Sequence, residues 1–127
     1  MNNLLLPRIA IALVWIYQGF WCKLLGQAPH HQEIVEKTPF LNACRARRAL
    51  IALGALECVL GMWVLSGIWA REAALAQTLL LVSMNAIALL QARSLISDPL
   101  GMLLQNCIFL TLAWIASGQV DCYARAA

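Results

Sequence analysis

The sequence predicts an all-α integral membrane protein folded as an antiparallel four-helix bundle. Two observations of composition and one of pattern lead there. Of the 127 residues, 62% are hydrophobic and 12% charged, against about 45–50% and 25% in an ordinary soluble domain. Nine basic and six acidic residues are too few to cover a water-soluble globule of this size. The apolar residues fall into four continuous runs, which specify helices, whereas a barrel needs strands alternating with period two. A soluble enzyme, a disordered tail and a nucleic-acid binder are excluded, and the net charge of +3 is not gathered into a basic patch.

A hydrocarbon core of about 30 Å needs roughly 20 mostly apolar helical residues. The first expected span covers residues 9–25, with Pro7 at its start and Gly26 and Pro29 beyond its end. Arg8 before an apolar run has the look of a secretory leader. The stretch Gln18-Gly19-Phe20-Trp21-Cys22-Lys23 lacks a small-residue cleavage site, so the run reads as a retained helix. The second span, residues 49–69, follows the cluster Arg45, Arg47 and Arg48. The third covers 73–92 after the short Arg71-Glu72 turn, and the fourth covers 100–117, opened by Asp98-Pro99 and closed by Gly118. The whole chain, 1–127, reads as one transmembrane domain. Its longest connection, from Gly26 to Arg48, is polar and holds both histidines, and the short remaining loops require antiparallel neighbours.

Polar residues inside these spans carry the functional information. Glu57 lies nine positions, about 13 Å, beyond Arg48. A central acid costs about 2.5–3.5 kcal/mol on insertion scales, so it is expected to face the bundle interior and to find a partner. Gly54 and Gly61 share its helix face at i−3 and i+4, where missing side chains let another backbone approach. Glu57 is thus either a proton-binding or ligand-anchoring group, or a carboxyl that locks helices together. Lys23 ends the first span. Extension of its ammonium to the headgroups is the expected conformation, and the alternative is a pair with Glu33 or Glu57. Gln18 shares a face with Cys22 and can donate across the bundle. Thr78, Asn85 and Ala92 form a stripe at intervals of seven, in which Thr78 and Asn85 are expected to bond between helices. Asn106 is either another packing amide or a ligand-binding group turned toward Glu57.

Five cysteines, Cys22, Cys44, Cys58, Cys107 and Cys122, are widely spaced without a CxxC pair. They read as small packing residues. His30 and His31 are adjacent, and no third ligand completes a metal spacing, so no metal site is expected. The positive-inside rule sets Lys23, Lys37, Arg45, Arg47, Arg48 and Arg93 against Arg8, Arg71 and Arg125. It places the first and third loops in the cytoplasm and both termini outside.

Three pieces in order resemble the DoxX-like family of small four-helix bacterial membrane proteins. They are Val14-Trp15-Ile16-Tyr17-Gln18-Gly19 with Lys23; Gly54-Ala55-Leu56-Glu57 with Leu60-Gly61; and Asp98-Pro99-Leu100-Gly101 with Asn106. The chain departs from the pattern at Gln105, where the resemblance implies a lysine. The resemblance implies the four-helix fold, a multi-pass bacterial inner-membrane location and an association with redox work. In that group the association is with quinone-linked sulfur oxidation or the maturation of redox enzymes. It implies no catalytic residue set. Relatives fused to soluble N-terminal domains imply a cytoplasmic N-terminus, opposite to the charge count.

Three functions follow from these observations. The first is a redox component, quinone-linked or accessory to an oxidoreductase partner, with a pocket around Glu57. It contains no haem, flavin or iron–sulfur motif, so electrons must come from a partner or a diffusible quinone. The second is a hydrophobic-ligand or lipid binder or a small transporter, for which a chain this short would need a homodimer. The third is a structural partner subunit in the bilayer with no activity of its own.

Overall fold

Four helices long and apolar enough to cross a bilayer make up the described part of the chain, residues 3–26, 36 and 42–118 of a computed structural model. Helix α1 spans Leu5–Ile16 and runs on through π-helical turns over Tyr17–Leu24. Helix α2 spans Ala43–Ser66, α3 Ala70–Gln91 and α4 Pro99–Ala116, with a short 3-10 turn over Arg93–Leu95. No strand occurs among the described residues. The all-α four-helix membrane fold read from composition and pattern is the fold observed.

Local chemistry sets the helix ends. The Asn42 side chain accepts the Arg45 N–H at 2.9 Å and caps α2, while the Asp98 carboxylate accepts the Gly101 N–H at 2.9 Å and caps α4, with Pro99 at its first position. Gly67 ends α2 in the left-handed region, at φ 69°. All four spans start earlier than expected: α1 begins at Leu5, with Pro7 inside its first turn, α2 at Ala43, α3 at Ala70, so that Arg71 and Glu72 form its first turn and not a loop before it, and α4 at Pro99. The arginine cluster therefore belongs to the first turns of α2 instead of preceding it. A reading by hydropathy stops where the polar residues begin, but the helix continues through the interface, where water and headgroups solvate those side chains.

All four helices contribute to the core. Ile11 and Trp15 of α1 meet Leu60 and Val64 of α2, Ala73 of α3, and Ala113 and Ala116 of α4. The Trp15 ring meets Phe109 edge-on, with centroids 5.6 Å apart. Small residues on α3 and α4 admit the large α1 side chains. Within this core the Trp15 indole N–H donates to Gln77 Oε1 at 2.9 Å, and Gln77 Nε2 donates to the Ala73 carbonyl. That buried bond joins α1 to α3. At the same end of the bundle, Arg8 Nε donates to the Ala116 carbonyl at 3.3 Å, supplying charge to the open carbonyl end of α4.

Candidate functional site: a buried ion pair between α1 and α2

Helix α2 presents Gly54, Glu57 and Gly61 to α1 as one face. A side-chain carbon at Gly61 would lie 3.1 Å from the Ala12 carbonyl oxygen and 3.0 Å from Ile16. One at Gly54 would lie 2.8 Å from the Gly19 carbonyl oxygen and 3.0 Å from Lys23 Cβ. Gly19 answers from α1, for a carbon there would collide with the Gly54 carbonyl oxygen. The two backbones are in direct contact at Gly19 and Gly54, an approach only glycine permits.

That approach delivers Lys23 to Glu57. Lys23 Nζ donates to Glu57 Oε2 at 2.9 Å, and the two side chains are 3% and 1% exposed. Lys23 does not extend to the headgroups, which corrects the first expectation for it. Two features account for the difference. The lysine stem lies over Gly54, where no side chain obstructs it. Arg47 then occupies the end of the π-helical turns, its two guanidinium nitrogens donating to the Lys23 and Leu24 carbonyls at 2.8 and 3.1 Å. These carbonyls end a helix and have no partner within it. Arg47 therefore meets the need for a cation at this helix end, leaving Lys23 to neutralise the carboxylate.

The second carboxylate oxygen, Glu57 Oε1, is buried and has no hydrogen-bond partner among the described residues. It can accept a proton or a donor. Cys58, the next residue along α2, packs at the glycine contact, its Sγ 3.0 Å from the position of a Gly19 side-chain carbon. The turns carrying Lys23 are π-helical, a geometry that usually occurs as a single turn and often at functional sites.

Other candidates lie elsewhere. Asn106 does not turn toward Glu57: its Nδ2 donates to Asn85 Oδ1 at 2.8 Å, joining α4 to α3. An amide reaching toward Glu57 would have left Asn85 without this partner. Thr78 also bonds to α4, accepting the Trp114 indole N–H at 3.1 Å while donating to its own helix at Ala74. Ala92 is buried at the end of α3. Gln18 is half-buried and forms no side-chain hydrogen bond among the described residues. Glu33, His30, His31 and Cys122 lie outside the described residues. Among those described, no three His, Cys, Asp or Glu side chains converge on a point that could hold a metal ion.

Three features of the site were not expected: the contact at Gly19, the capping by Arg47 and the bond from Trp15 to Gln77. Gly19 recurs with Ala12 and Trp15 at helical spacing, the one signal in the sequence that could have marked its face. Nothing in a row of arginines tells the cap from its neighbours.

Four antiparallel apolar helices, with a sealed lysine–glutamate pair between the first two, define a small multi-pass membrane protein. The sequence pattern of the DoxX-like family matches residues 12–114, from the α1 core face to the last turn of α4. The chain belongs to the DoxX-like family. Comparison with curated proteins and with solved structures gave no match.

Proposed function

We propose that this protein is the membrane-embedded accessory subunit of a bacterial inner-membrane redox system, holding an oxidoreductase partner at the bilayer. The redox association rests on the family. The accessory role rests on one observation: Lys23 and Glu57 are both sealed from their surroundings. A quinone head group would have to displace packed backbone to reach Glu57. The apolar cavity of about 210 Å³ between α2 and α3 is lined by Leu56, Val59, Leu60, Trp63, Ala76 and Leu80, and Glu57 does not line it. The pair and the glycine contact thus serve to fix α1 against α2, and redox chemistry belongs to the partner.

The second reading is proton transfer at Glu57, favoured by the free Oε1 atom. Affinity purification of the tagged full chain from membranes in mild detergent, with mass spectrometry of bound proteins and quinone, separates the two. The accessory reading expects a redox enzyme to co-purify. It also expects the double variant Lys23→Met/Glu57→Leu, which removes both charges, to keep that partner and its activity. A double variant that folds and holds the partner but stops its turnover would transfer the chemistry to Glu57. Absence of any redox protein or quinone from the purified material would sink both.

A further inference from the structure

Every exposed Ser or Thr hydroxyl inside the described spans closes a hydrogen bond onto its own helix. Ser66 donates to the Trp63 carbonyl at 2.7 Å, Ser83 to Leu79 at 2.7 Å and Thr111 to Cys107 at 2.8 Å. Gln105 of α4 closes no such bond. Its side chain is exposed, and its amide meets no donor or acceptor among the described residues. It stands six residues beyond Pro99, about 9 Å into a helix roughly 27 Å long. A glutamine is too short to return to the headgroup layer from there. Acyl chains offer no hydrogen bond, so this amide calls for a protein partner.

We propose that a second copy of this chain supplies it, α4 packing against α4 about a twofold axis along the membrane normal with Gln105 bonded to Gln105 of the second copy. Three observations select a second copy over an unrelated protein. Two chains inserted with the same topology carry Gln105 at the same depth, so the pairing requires no adjustment of register. A primary amide is self-complementary, with one carbonyl acceptor and an NH₂ donor, and satisfies itself across a twofold axis. The flanking residues repeat as a parallel seam requires. Gly101, Gln105, Ile108, Leu112 and Ile115 are spaced 4-3-4-3, with Gln105 at the position where a single polar residue fixes register and two-strandedness; Leu112 also packs against the bundle's own core, so the seam runs along the edge of α4 where Gln105, Ile108 and Ile115 reach the surface. Ile108 and Ile115 on this face are 71% and 40% exposed. Helix α4 is also the least covered span, with 11% of its apolar window buried against 33% for α2. The dimer leaves the Lys23–Glu57 pair untouched, because that pair faces the α1–α2 contact.

The test is the dimer fraction of the full chain in vesicles of phosphatidylethanolamine and phosphatidylglycerol. It is read by energy transfer between donor- and acceptor-labelled copies over graded protein-to-lipid ratios. The wild type is expected to dimerise. Gln105→Leu is expected to raise the dissociation constant roughly 3- to 30-fold, the range that interhelical hydrogen bonds in membranes produce. Gln105→Asn should stay close to wild type, and Leu79→Ala on the lipid face of α3 should change nothing. Tryptophan fluorescence checks that each variant is folded, as an exposed site should allow. A wild type that stays monomeric at every ratio overturns the proposal, as does a folded Gln105→Leu chain that dimerises as tightly as wild type.

Discussion

Removing one partner of the Lys23–Glu57 pair should damage the fold more than removing both. At 2.9 Å and an effective dielectric of about 20, two unit charges attract by roughly 6 kcal/mol. Several kcal/mol of desolvation for each ion offset that attraction, so the intact pair is close to neutral in net stability. A single truncation is different. Lys23→Met leaves the Glu57 carboxylate buried with no donor at either oxygen, since Oε1 already lacks one. The expected cost is about 3–5 kcal/mol. Glu57→Leu leaves the ammonium in the same position at a similar cost. The double variant should recover most of the loss, giving a coupling energy of about 3 kcal/mol or more. Equilibrium unfolding of the purified chain in mixed micelles, followed by tryptophan fluorescence, measures all four corners of the cycle. A coupling energy under about 0.5 kcal/mol would mean that the two groups do not meet, and the α1–α2 contact would need to be redrawn.

Two further outcomes follow from the same contact. Gly54→Ala gains up to about 1 kcal/mol of helix propensity, yet its new carbon lies 2.8 Å from the Gly19 carbonyl oxygen. Backbone meets backbone there, so net destabilisation of about 1–3 kcal/mol is expected; a higher melting temperature for Gly54→Ala would contradict the close approach. Arg47→Lys keeps the charge but loses the planar fork that reaches two carbonyls. It should cost about 1–2 kcal/mol and speed amide exchange at Leu25, whose N–H bonds to the Phe20 carbonyl; exchange as slow as in wild type would remove Arg47 from the cap.

How much of this was legible in the sequence depends on whether one helix or two had to be known. The spans, the inward face of Glu57 and the glycines beside it follow from hydropathy and from a period of 3.6 along a single helix. The partner of Glu57 does not. Lys23 stands at a span end where snorkelling is the ordinary outcome, and only the depth at which α1 meets α2 brings it to position 57. That depth is set by Gly19 against Gly54, a relation between two helices. Asn106 shows the same limit: an intramembrane amide must find a partner, but a packing role and a turn toward Glu57 were both open until the α3–α4 pairing, which gives it Asn85, was known.

In a bilayer, burial of apolar surface does little to choose one helix neighbour over another, because lipid tails are as apolar as leucine. The polar bonds therefore carry much of the specificity, and their distribution here is uneven. Helix α1 is joined to α2 by Lys23, to α3 by Trp15 and to α4 by Arg8. Helices α3 and α4 are joined by Asn106 to Asn85 and by Trp114 to Thr78. Among the described residues, no side-chain hydrogen bond joins α2 to α3, and the apolar cavity of about 210 Å³ lies along that seam. Helix α2 is thus held to the bundle chiefly through α1, by the glycine contact, the Arg47 cap and the ion pair. Weakening of the pair should free α2 while α3 and α4 stay docked. Hydrogen exchange on Lys23→Met makes the distinction: protection lost along α2 but kept along α3 and α4 is the signature of this arrangement. Uniform loss would mean that the bundle opens as one unit, with the polar bonds dividing it into no parts at all.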